Sequence, residues 1–132
     1  MTSAPVEVAP EPYSSGSVLA EGLETAGRFG VATTSPSWRG DYPGADIIVT
    51  ADGAETANNA LYAVVADPGY PSCRVASYTV QSLSWDQVPS GTTVCIQTKD
   101  KRVGTVKFVW SRDREGNVRD RTVSGVIWAP KR

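Results

Sequence analysis

Histidine is missing from the chain altogether. Its absence removes the commonest general base, and with it the Ser-His and Cys-His pairs that activate nucleophiles. There is no Gly-x-Ser-x-Gly elbow, and the Gly-rich loop, the VAIK-type lysine and the HRD and DFG signatures of a protein kinase are also missing. Cysteine is scarce. Cys73 and Cys95 are the only two, and they form no CxxC. They fall short of the roughly four Cys or His ligands that a structural zinc site needs, so neither a metal nor another cofactor is expected. The pair is either two separate buried thiols or one disulfide, and the disulfide is the favoured reading. Such a bond would close a loop of about 22 residues, stabilise the fold by ~3 kcal/mol in the chain-entropy model, and point to an oxidising compartment.

Long apolar runs are lacking as well. None approaches the ~20 residues that span a bilayer, so no membrane insertion is expected and the chain reads as soluble. Met1 is followed by Thr-Ser-Ala-Pro, without the basic patch and apolar core of a signal peptide, so either the protein is cytosolic or the sequence begins after a targeting segment.

What the chain does contain suits one domain: 132 residues, of which 40% are hydrophobic and 20% charged. The clearest pattern lies in the last third. Val94 and Ile96 share one face of a first run, and Val106, Phe108 and Trp110 share one face of a second. The polar stretch Lys99 to Arg102 is the turn between them, and after a second polar turn at residues 111–117 a long last strand runs from Val118 to Trp128. Shorter strands are expected over residues 27–34, 45–53 and 61–66. Residues 35–44 form a Pro- and Gly-broken loop, and residues 55–60 a helical turn or loop. One short helix is predicted over residues 71–78, with Pro71 in its first turn, and residues 83–91 form a connector. Residues 1–17, with three prolines, read as a flexible linker, and residues 18–132 as a single β-rich domain. The fold class is mainly β: a small antiparallel sandwich or barrel with at most one short helix and one disulfide.

Charge is unevenly spread. Up to Thr98 there are three basic residues against ten acidic ones, and from Lys99 onward ten basic against four acidic. A basic meander can attract polyanions, with Lys99, Lys101 and Arg102 as weak candidates, although charged strands also protect sheet edges. Nucleic acid is not expected as a partner. The stronger candidate binding site is the loop holding Trp38, Arg39, Asp41 and Tyr42, where an indole and a phenol offer a stacking platform for a sugar or peptide. The alternative is that Trp38 folds back to cap the core. Asp41, Asp46 and Asp67 are the carboxylates available to a small secreted hydrolase or toxin, and Asp52, Glu55 and Asp67 to calcium, but turn aspartates are ordinary in β proteins and the Asp-x-Asp-x-Asp-Gly loop is missing.

A resemblance adds to this reading. Gly44-Ala45-Asp46-Ile47-Ile48, the run Cys73 to Ser77, the stretch Val88-Pro89-Ser90-Gly91-Thr92-Thr93-Val94-Cys95-Ile96-Gln97-Thr98, then Arg102-Val103-Gly104 and Val126-Ile127-Trp128 follow in an order that resembles a small extracytoplasmic domain of actinobacteria. That domain lies C-terminal to a transmembrane helix in serine/threonine kinase-like membrane proteins and also occurs in secreted proteins. The resemblance covers about residues 44–129 and is most specific from Pro89 to Thr98. It implies an all-β extracellular or cell-surface module with a Cys73–Cys95 bond and a Pro-rich linker in front, and it brings no catalytic residues. The turn Lys99-Asp100-Lys101-Arg102 is more basic than the pattern implies. Together these readings anticipate a non-catalytic binding or sensing module. Its partner would be a cell-wall or envelope polymer, or a small ligand or protein at the cell surface.

Overall fold

A computed structural model describes residues 10–20, 28–40 and 44–131. Along the chain these form β1 (Pro12–Ala20), β2 (Arg28–Ala32), β3 (Arg39–Gly40), β4 (Ile47–Thr50), β5 (Gly53–Thr56), β6 (Leu61–Ala63), α1 (Tyr70–Val75), β7 (Ser82–Ser84), β8 (Thr92–Gln97), β9 (Arg102–Arg112) and β10 (Val118–Lys131). One five-stranded sheet has the order β1-β10-β9-β8-β6 and the other β3-β2-β4-β5-β7. Every strand pair within them is antiparallel.

The two sheets face each other through one apolar core. Val31, Ile47, Val49, Ala54 and Leu83 come from the second sheet, and Val94, Ile96, Val106, Phe108, Val123 and Ile127 from the first. In β9 the alternation is direct: Val106 and Phe108 are buried, while Lys107 and Val109 between and after them are exposed. Edge-on ring contacts join Tyr62 to Phe108 at 6.1 Å and Trp85 to Phe108 at 6.1 Å. The result is a sandwich-like fold rather than a closed barrel.

A smaller apolar cluster lies apart from this core. Cys73 and Ala76 of the helical segment pack with Ala63, Cys95, Val103 and Trp128, and Tyr70 meets Trp128 edge-on at 5.1 Å. Cys73 and Cys95 are bonded, with their Cα atoms 5.3 Å apart, so α1 is tied to the middle of β8. Since the bond closes a 22-residue loop, replacing both cysteines by alanine is expected to lower the unfolding free energy by about 3 kcal/mol. Urea titration reads this directly, and an unchanged midpoint would show that packing alone holds the helix.

Several segments differ from the sequence reading. Pro12 to Ser17 are part of β1, paired with β10 from Pro12↔Trp128 to Ala20↔Arg121, and are not linker. Their low apolar content misleads because β1 is an edge strand that buries only alternate residues, Ser14 and Ala20 most fully. Residues 1–9 lie outside the described residues. The strand expected over 45–53 ends at Thr50, and Gly53 instead opens β5, so residues 55 and 56, expected in a helical turn or loop over 55–60, are strand. The supposed connector contains β7, whose Leu83 is buried against Ala54. β6 stops at Ala63, and Val64 beyond it is exposed.

In β10 the register slips between Arg119 and Thr122, where Asp120 takes φ 53°. This bulge shifts the alternation by one residue, so Arg121, and not its neighbours, turns inward and is 5% exposed. Desolvation, with the charge of Arg119 behind it, lowers the pKa of its guanidinium.

Candidate functional site

Trp38 is held in the interior. The β1 residue Gly16 pairs with Gly125 of β10, and the indole lies across this pair: a Cβ on Gly16 would stand 2.9 Å from Trp38 Cβ, and one on Gly125 2.8 Å from Trp38 Cη2. Two cross-strand glycines thus form the bed on which the ring packs. Trp38 Nε1 donates to Ser14 Oγ at 3.1 Å, and Ser14 Oγ donates to the Thr33 carbonyl at 3.0 Å. The backbone of residues 36–38 also joins the outer edge of β1, with Ser15 N–H donating to Pro36 O and Trp38 N–H to Ser15 O, both at 3.1 Å. The stacking platform expected of Trp38 is therefore corrected: with 6% of its surface exposed, it is a core residue that caps the sandwich. Arg39 is exposed on β3, and Asp41 and Tyr42 lie outside the described residues.

The same loop nevertheless borders a cleft. Thr33, Thr34, Gly44 and Asp46 from around β2 and β4, Asn58 from the β5–β6 turn, Tyr13 of β1, and Thr98, Lys99 and Asp100 from the β8–β9 turn line an open space of about 220 Å³. Both sheets contribute to it. Asp46 accepts from the Thr33 N–H at 3.3 Å and from the Thr33 hydroxyl, and its other oxygen faces Asn58 Nδ2 at 3.5 Å. Its backbone bridges as well, its N–H donating to Val31 O at 3.0 Å and its carbonyl accepting from Ala57 N–H at 2.8 Å. Asn58 and Asn59 take φ of 56° and 63°, the left-handed region that asparagine tolerates, which turns the chain back beside Asp46. On the facing side, Asp100 accepts from the Thr98 hydroxyl and from the Arg102 guanidinium. Two carboxylates, each braced by a threonine two or more residues away, thus line one cleft.

The basic candidates separate. Arg102 pairs with Asp100, donates through Nε to Ala129 O at 3.0 Å and lies 3.8 Å from the centre of the Tyr13 ring, so it is built into the fold rather than offered to a polyanion. Lys99 and Lys101 are exposed. Further along, Arg112 meets Asp86 at 3.1 Å and Arg119 meets Asp113 at 3.0 Å. Hydrogen bonding from Arg119, then from the Asn117 N–H, holds the Asp113 carboxyl below its usual range. Part of the basic meander is thereby matched within the molecule, in the Arg112 case by the acidic part of the chain.

Of the carboxylates proposed for hydrolysis, Asp46 lines the cleft; Asp67 precedes α1, where its carbonyl accepts from Ser72 Oγ at 2.7 Å, and Asp41 lies outside the described residues. Asp52 and Glu55 line a second depression of about 180 Å³ along β5 and β7, which Asp67 does not share. Among the described residues no helix is long and apolar enough to cross a membrane, and no group of three or more Cys, Asp or Glu is placed to hold a metal ion. Sequence reasoning missed Tyr13, Thr33, Thr34, Asn58, Thr98 and Asp100. The Asn58-Asn59 doublet signals a left-handed turn, but nothing in the sequence places that turn opposite Thr98.

Comparison with protein-family models, with characterised proteins and with solved structures gives no match.

Proposed function

We propose that the chain is a non-catalytic binding or sensing module of an extracellular or cell-surface protein, and that it holds a cell-envelope polymer through the cleft between Asp46 and the Lys99–Asp100 turn. The observation that carries this reading is the cleft itself, lined by hydroxyl, carboxylate, amide and ammonium side chains, open to solvent and braced by threonines that flank strands of both sheets. The Cys73–Cys95 bond supports an oxidising compartment, and the resemblance to an actinobacterial extracytoplasmic domain supports the envelope as the setting. Lys99 and Lys101 add a separate attraction for anionic polymers, which salt screens over ~10 Å at 0.1 M.

A pull-down against purified peptidoglycan and teichoic acid across a salt series is the test. Retention of at least one polymer is expected. Lys99→Glu with Lys101→Glu is expected to weaken teichoic acid retention severalfold at low ionic strength and to have little effect at high. No retention at low salt would overturn the reading. A second reading, a small secreted hydrolase or toxin, draws on Asp46 and Asp100 lining the same cleft. Release of soluble fragments from labelled peptidoglycan, lost in Asp46→Asn, would favour it instead.

A further inference from the structure

We propose that the unit this cleft selects is a single neutral sugar ring of a glycan, recognised through neighbouring hydroxyls; the proposal rests on the binding-module reading above. Charge points to a neutral ligand. Asp100 is paired with Arg102, and the lining carries Lys99 as well as Asp46, so among the described residues neither a phosphate chain nor a cationic peptide meets a net opposite charge in the cleft. The lining supplies acceptors and donors side by side. A carboxylate offers about four lone-pair sites, and among the described residues Asp46 Oδ1 has only the 3.5 Å contact from Asn58, which leaves capacity for hydroxyl donors. Lys99, Asn58 and the Tyr13 phenol are donors of the kind that sugar oxygens accept. Sugar hydroxyls both donate and accept, and those meeting a carboxylate make the stronger, charge-assisted bonds.

Size and rigidity agree with this chemistry. At about 220 Å³ the cleft is smaller than the ~300 Å³ at which pockets for drug-sized ligands begin, so it takes one ring, and it is open to solvent. Its key groups are already fixed: Asp46 by two donors of Thr33, Asp100 by Thr98 and Arg102, and Tyr13 by the guanidinium 3.8 Å from its ring centre. The two carboxylates and the Tyr13 ring therefore lose little side-chain freedom on binding.

Titration calorimetry of the full chain with a panel of soluble neutral oligosaccharides, and separately with poly(glycerol phosphate) teichoic acid, tests this. At least one neutral oligosaccharide is expected to bind, and Asp46→Asn and Asn58→Gly are each expected to lower its affinity about tenfold. The second variant keeps the left-handed turn with a residue that favours it, so a loss there is not a folding artefact if the melting temperature holds. Binding of teichoic acid but of no neutral oligosaccharide would overturn the sugar assignment and leave the module reading standing. Equal sugar affinity in both variants would place the sugar elsewhere and overturn the assignment to this cleft. Binding of neither probe, with no polymer retained in the pull-down, would remove both.

Discussion

A chain beginning at Ser17 is expected to lose its cooperative thermal transition. It would lack Pro12 to Gly16, and with them the part of β1 that pairs with residues 125–128 of β10. Three further contacts go at the same time. Trp38 Nε1 loses its acceptor and the Thr33 carbonyl its donor when Ser14 is removed, and Arg102 loses the Tyr13 ring it covers. Each buried polar group left without a partner costs about 1–3 kcal/mol, and Trp38 would lie on an uncovered sheet edge. For a domain with a total stability of about 5–15 kcal/mol, these losses suffice to unfold it. Circular dichroism on heating, with a chain beginning at Pro10 as control, makes the comparison. A melting temperature within a few degrees of the control would mean that the pairing of Pro12 to Gly16 contributes little, and that β10 is a sufficient edge by itself.

Trp38→Ala carries the next largest effect, a destabilisation of about 3–5 kcal/mol, the usual cost of truncating a buried tryptophan. The size follows from the bed beneath the ring. Gly16 and Gly125 have no side chains with which to fill the space vacated, so the cavity cannot collapse as it would among leucines. Trp38→Phe is expected to lose less stability. It should also leave ligand affinity unchanged, because the indole does not line the cleft. Chemical denaturation measures the first quantity and calorimetry the second. If Trp38→Phe abolished binding while the protein remained fully folded, the ring would belong to the site after all.

Tyr62 shows how burial governs a single group. It is fully buried, its hydroxyl has no hydrogen-bond partner among the described residues, and desolvation, followed by the charge of Glu55, pushes the phenol far above its usual range. A folded-state pKa raised above the unfolded one contributes stability that is present below the unfolded value of about 10 and is lost as pH rises beyond it. Tyr62 therefore adds to alkaline unfolding and has no influence near neutral pH.

The β8–β9–β10 meander and the strand character of residues 28–32 and 47–50 were legible because alternation within one strand is a local property of the chain, written in Val94, Ile96, Val106 and Phe108 and independent of what they pack against. The short helix was legible from Pro71, although it runs Tyr70–Val75 and stops short of the expected end at Tyr78, and the disulfide from there being two cysteines and no other ligand. β1 was not. Ser14-Ser15-Gly16-Ser17 has neither the apolar content nor the β-branched residues of a strand, and it is ordered by Gly125, Val126 and Ile127, more than 100 residues away. The role of Trp38 was undecided for the same reason. An aromatic residue in a Pro-Gly loop serves equally as a platform or a plug, and the choice was made by a glycine pair formed from the two ends of the chain. Strand order, the inward turn of Arg121 and the meeting of Asp46 with Thr98, Lys99 and Asp100 in one cleft belong to tertiary structure alone, since each depends on register between distant strands, and register is set by how whole faces fit, not by the residues of any one segment.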